Sequence, residues 1–267
     1  MKIKRWFIGL FLLAVAGYFA TYAHLYFNRD QQGERFVSTT LPTNYRYSFK
    51  EDFKELNFKS VNGGTLNSLL FKARNSKGIV CFWKGNGGTL NNWGAIAPQF
   101  LRLDYDVIIT DYRKHGKSKG PITLENFYAD AQTVYSALKK KYPENRIVIA
   151  GFSLGGRIAA RLAADNQPLL TLLLDPASTT GDFSDRFLEA LFRPFPSVNK
   201  FLFQNDLDLM KARSPVVLIA TNNKNSLSHQ LKSVLKAKDS FFEIRGATHE
   251  TILGHQETAN ILAKLLR

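Results

Sequence analysis

The chain has 267 residues, 45% of them hydrophobic and 22% charged, which is the composition of a globular protein with one sizeable core and not of a low-complexity chain. A single cysteine, Cys81, excludes an internal disulfide. The net charge of +14 favours anionic partners or membranes, but the basic residues are scattered, with neither a zinc-finger spacing nor an RNA-binding aromatic signature, so nucleic acid is not expected as a partner.

At the start of the chain, Lys2, Lys4 and Arg5 precede an uncharged stretch from Trp6 to Tyr26, long enough to span a bilayer. Positive charge keeps the leading end in the cytoplasm. Residues 1–26 therefore read as a membrane anchor that leaves the following domain on the exported side, periplasmic or extracellular. The alternative is a cleaved signal peptide, with Ala14-Val15-Ala16 as the cleavage site and a secreted product. His24 falls near the far end of this stretch and carries no chemistry. Residues 27–49 read as a polar connector and 50–267 as the folded domain.

The domain opens with FKELNFKS and TLNSLLFKA on either side of Asn62-Gly63-Gly64, which predicts a β-hairpin because Asn and Gly accept the positive φ of a tight turn. GIVCFW, DVIITD, RIVIAG, LLTLLLD and PVVLIA follow as short apolar runs, separated by segments of helical spacing such as LENFYADAQTVYSALKKKY. This alternation predicts an α/β fold, a mainly parallel sheet with helices on both faces. Cys81 lies inside GIVCFW, where apolar neighbours raise the pKa of a thiol and argue against a nucleophile.

Residues 176–214 interrupt the alternation as a short insertion before the penultimate strand, rich in Phe: Phe183, Phe187, Phe192, Phe195, Phe201 and Phe203. Such a segment can be a lid or acyl-binding wall over the strand ends, or helices that simply pack on the core.

Residues 151–156 read GFSLGG, a G-x-S-x-G pattern directly after the strand RIVIAG and before the helix formers GGRIAARLAADN. Strand, serine and helix in this order make Ser153 a candidate nucleophile, held on a sharp turn at the positive end of a helix. A serine hydroxyl needs a base. His249, in the loop after the last predicted strand, fits the chain order nucleophile, acid, histidine, with His255 as the fallback. His115 and His229 read as structural. A developing oxyanion needs N–H donors: Leu154, which follows the serine, and Asn86, in the glycine-rich loop Lys84-Gly85-Asn86-Gly87-Gly88.

KGNGG at 84–88, DYRKHGKSKG at 111–120, GFSLGG at 151–156 and GATHE at 246–250 together resemble the α/β-hydrolase superfamily, and within it the single-anchor bacterial branch grouped with serine aminopeptidase-like and acyl-hydrolase proteins. The resemblance covers roughly residues 50–267. It implies an α/β-hydrolase fold and a serine hydrolase acting on esters or related acyl compounds, with peptide or amide hydrolysis as a neighbouring activity. It implies neither a metal nor an organic cofactor, and is silent on oligomeric state. Two positions depart from the pattern. Lys84 stands where the branch has histidine, and the turn after PVVLIA, where the branch places its triad acid, holds Asn222, Asn223, Lys224 and Asn225. Asp175, in LLLDPAS, resembles the acid of pancreatic-type lipases and is the candidate replacement. An Asn-oriented histidine, a Ser-His dyad and a catalytically impaired protein that binds a ligand or partner at the membrane stay open.

Overall fold

The structure is a computed structural model, which describes residues 2–176, 200–223 and 227–267. The hairpin forms where its turn chemistry points: β1 (Phe53–Lys59) pairs antiparallel with β2 (Thr65–Phe71), and Asn62 and Gly63 turn the chain at φ of 52° and 70°. β2 in turn pairs antiparallel with β4 (Tyr105–Thr110). From there β3 (Gly78–Trp83), β5 (Ile147–Phe152), β6 (Leu170–Leu174), β7 (Val216–Thr221) and β8 (Ser240–Ile244) add in parallel, giving the eight-stranded order β1-β2-β4-β3-β5-β6-β7-β8.

Every residue of β3, β4, β5, β6 and β7 is buried, because helices cover both faces of the sheet. The period-2 alternation of each strand divides the core in two. Ile79, Cys81, Ile147 and Ile149 point to the face covered by α4 (Leu124–Lys139) and α5 (Leu154–Asp165), where they meet Val134, Ile158 and Leu162. Val80, Phe82, Val148 and Ala150 point to the other face, against Leu90 of α2 (Leu90–Trp93), Phe100 of α3 (Ala97–Leu101) and Leu262 of α7 (Gln256–Leu265). Each of the Ile, Val, Leu and Phe side chains, fully withdrawn from water, contributes about 1.5–3 kcal/mol. α4 starts where Thr123 accepts a hydrogen bond from the Asn126 N–H, so the polar cap and the apolar stripe agree on its boundary.

The chain runs from β3 to β4 on one side and then returns to place β5 on the other side of β3. The carboxyl ends of β3 and β5 therefore flank a crevice, the place where open α/β sheets bind ligands.

Two further segments pack on this core. Within 27–49, the 3₁₀ segment Arg29–Phe36 buries Phe36 against the rings of Phe127, Phe201 and Phe203, with centroid separations of 5.4, 4.7 and 6.0 Å. Leu41 N–H bonds Gly116 O at 2.8 Å, and Tyr47 is buried. In the insertion, Phe183, Phe187, Phe192 and Phe195 lie outside the described residues. Phe201 and Phe203 pack on the core, and α6 (Asn205–Lys211) lies against α5, so this part of the insertion is a packing element.

α1 (Lys2–Phe27) contains Trp6–Phe27, a 22-residue apolar span of mean hydropathy 1.7 with none of its most apolar window buried. By length and composition it is sufficient to cross a bilayer. Phe7, Phe11 and Leu13 are among its exposed apolar side chains.

Candidate active site

β5 ends at Phe152, and the next residue turns abruptly: Ser153 has φ 52° and ψ −115° before Leu154 begins α5. Positive φ in a non-glycine residue costs on the order of 1–3 kcal/mol and persists only where the surroundings over-determine it. Here the surroundings are backbone. A Cβ on Gly151 would overlap the Gly155 carbonyl, and a Cβ on Gly155 would overlap the Trp83 carbonyl. The two glycines of G-x-S-x-G thus let strand and helix approach closely and set the α5 N-terminus directly against the end of β3. Ser153 N–H bonds Leu174 O at 3.2 Å, tying the elbow to β6 as well.

The adjoining loop 84–88 leaves β3 and borders an open cleft of about 600 Å³, lined by Gly85, Asn86, Trp93, Phe152, Ser153 and His249 among others. Trp93 Nε1–H donates to Gly87 O at 2.8 Å, and the Asn86 Nδ2 amide donates to Arg35 O at 2.9 Å. Leu154 is buried at the first position of α5, where backbone N–H groups lack intrahelical acceptors.

The structure brings His249 to the same cleft and Asp175 to His249. Asp175 Oδ2 lies 2.6 Å from His249 Nδ1. The imidazole also stacks on Phe152, with centroids 4.6 Å apart and planes inclined by 27°. Asp175 follows β6 at φ 39°, its side chain almost wholly buried. Its second oxygen, Oδ1, accepts from Ser228 Oγ at 2.7 Å and from Thr221 N–H at 3.4 Å. Burial alone would raise the carboxyl pKa, but the hydrogen bonds from His249 and Ser228 outweigh it and hold Asp175 below the usual carboxylate range. The group is an anion, oriented at both oxygens.

The other histidines lie elsewhere. His255 caps α7, accepting from Glu257 N–H at 3.2 Å. His229 Nε2 bonds Thr221 O at 2.9 Å. His115 is buried beside Lys84. In the turn after β7, Asn222 and Asn223 are exposed, while Lys224 and Asn225 lie outside the described residues. Burial pushes the Cys81 thiol up to about 12, in keeping with an inert strand residue. Sequence reasoning missed two partners. Ser228 has no motif to mark it, whereas Phe152 is the first variable position of G-x-S-x-G, and its place beside the serine was a signal.

Residues 78–171 match the protein family described as alpha/beta hydrolase fold. The Pyrococcus furiosus esterase Pf2001 superposes with a TM-score of 0.64 over 86% of this chain and 97% of that one, at 18% identity. The chain has the α/β-hydrolase fold.

Similarity to curated proteins extends along this hydrolase fold. Human alpha/beta hydrolase domain-containing protein 17B is 28% identical over 204 residues, or 71% of this chain. Protein bem46 of Schizosaccharomyces pombe is 25% identical over 236 residues, or 81% of this chain. The match spans 66% of the human protein's length, just under two thirds, and 78% of the yeast protein's. In α/β-hydrolase terms, Ser153 occupies the strand-to-helix elbow, loop 84–88 follows β3, and His249 follows the last strand.

Proposed function

We propose that the protein is a serine hydrolase that cleaves carboxylic esters or related acyl compounds, in the branch grouped with serine aminopeptidase-like and acyl-hydrolase proteins. Ser153 Oγ attacks the acyl carbon as His249 takes its proton. The tetrahedral oxyanion is held by the N–H groups of Leu154 and Asn86. His249 returns the proton to the leaving group, and water then repeats the sequence on the acyl-enzyme. Asp175 holds the imidazole in the tautomer that presents Nε2 and stabilises the imidazolium that forms.

The observation that carries this reading is the 2.6 Å contact between Asp175 and His249, on the cleft that Ser153 lines. A buried anion against a half-exposed imidazole is the arrangement a general base needs, and a packing role for His249 does not require it. The apolar rings of Phe152 and Trp93 on the cleft suit the acyl side of an ester. We further propose that residues 6–26 tether the domain on the exported side of a membrane, in keeping with the basic residues that precede them.

The test is reaction of the full-length protein, in detergent, with a fluorophosphonate probe, followed by peptide mass spectrometry and by ester turnover of Ser153→Ala. The reading expects an adduct on Ser153 and loss of turnover in the variant. A folded wild type that takes no label would overturn it in favour of a ligand-binding hydrolase fold.

A further inference from the structure

The loop that borders the cleft is held from behind, and part of what holds it comes from the chain just after α1. Three contacts connect residues 35–38 to loop 84–88 and its support. Asn86 Nδ2 donates to Arg35 O at 2.9 Å, Ser38 Oγ donates to Gly88 O at 3.4 Å, and His115 Nε2 sits against Phe36 O.

The third contact continues inward. Lys84 Nζ lies 2.8 Å from His115 Nδ1, 3.0 Å from Gly88 O and 3.5 Å from Asp111 Oδ1. An ammonium has only donors, so His115 Nδ1 accepts, and the ring proton is on Nε2, donating to Phe36 O. Lys84 therefore closes loop 84–88 end to end through Gly88 and, through His115, ties it to the Phe36 backbone in the segment that follows α1. Lys84, Asp111 and His115 are all buried without measurable exposure. Burial, reinforced by the Lys84 charge, depresses His115 to about 4, which keeps it neutral and able to accept at neutral pH. The segment is seated by Phe36, whose ring is 2% exposed between Phe127 and Phe201.

We infer that residues 35–38 act as a strap that positions the oxyanion loop, with His115 and Lys84 as positioning residues that transmit the hold. The docked segment follows the apolar helix α1 closely, so the strap links the loop to the start of the folded domain. This rests on the catalytic reading only in giving the loop its Asn86 N–H role; the mechanical link itself does not.

Three variants of the protein in detergent test it. Asn86→Ala keeps the backbone N–H but removes the bond to Arg35. His115→Leu breaks the bridge, and His115→Gln restores a donor and an acceptor. Displacing an oxyanion donor costs up to about 10²-fold in rate. The expected result is a kcat lower by about 10-fold or more in Asn86→Ala and His115→Leu, with KM within about twofold and substantial recovery in His115→Gln. Hydrogen exchange of the peptide containing residues 84–88 should accelerate in both. If His115→Leu fails to fold, Asn86→Ala decides alone. Wild-type kcat together with wild-type exchange overturns the strap. Should the wild type neither turn over esters nor label at Ser153, the catalytic reading fails, and exchange alone then decides whether the strap exists.

Discussion

Asp175 and His249, 74 residues apart in sequence, meet at 2.6 Å through Oδ2 and Nδ1, and the carboxylate's other oxygen is taken by Ser228. Neighbouring strand ends make this possible. Asp175 follows β6 and Thr221 ends β7, so a carboxylate on one strand reaches the place served by a turn on the next.

Replacing Asp175 with Asn removes the anion but keeps the shape. The proposed mechanism expects kcat for a small ester to fall on the order of 10⁴-fold, because the imidazole loses its orienting anion. Steady-state kinetics and the rate of fluorophosphonate labelling check this. A variant within about tenfold of wild type would make Asp175 dispensable and favour a dyad.

Ser228→Ala deletes a hydrogen bond to a buried anion, worth about 1.5–3 kcal/mol. Asp175 has a depressed folded-state pKa, so its contribution is present above the unfolded value of about 3.9 and is lost as pH falls through the folded value. The variant's stability deficit should therefore be full at pH 7 and shrink below about pH 4. Thermal melts at the two pH values measure it, and a deficit independent of pH would deny the link to Asp175.

Gly155→Ala forces a methyl group onto the Trp83 carbonyl, a backbone atom that cannot rotate away. Overpacking of this kind costs about 1–3 kcal/mol, and relief requires the end of β3 to move. The expected outcome is a lower denaturation midpoint together with slower labelling of Ser153. Retention of both would show that helix and strand are not in close contact there.

Lys84→Met leaves Asp111 buried without its cation, since both side chains are inaccessible. Breaking such a pair costs on the order of 3–5 kcal/mol. Asp111→Asn in the same chain should recover part of the loss, since an amide oxygen can still accept the 3.1 Å bond from Leu90 N–H. Denaturant unfolding of the single and double variants gives the coupling, and simple additivity would argue against a direct interaction.

Much of the fold was legible from local pattern. The hairpin turn at Asn62-Gly63, the five apolar runs that became β3 to β7, and the GFSLGG elbow all depend on interactions within a few residues, which composition and spacing report directly. The extent of packing was less legible. Residues 27–49 look polar on average, yet Phe36 and Tyr47 are both buried in the core, and an average hides such anchors. Phe201 and Phe203 could have faced a lid or the core, since helical spacing of aromatics is common to both, and they pack on the core.

By itself, then, the sequence determined the alternation of strands and helices, the turn on which Ser153 sits, and an apolar N-terminal helix long enough to span a bilayer, because each is written in short-range periodicity and backbone stereochemistry. Only the tertiary structure decided which carboxylate faces His249, that Ser228 supports it, and that Lys84 turns inward to His115 and Asp111 instead of toward the cleft. Those pairings join residues that are distant along the chain, and the register of adjacent parallel strands and the burial of charge set them; neither leaves a mark on local sequence.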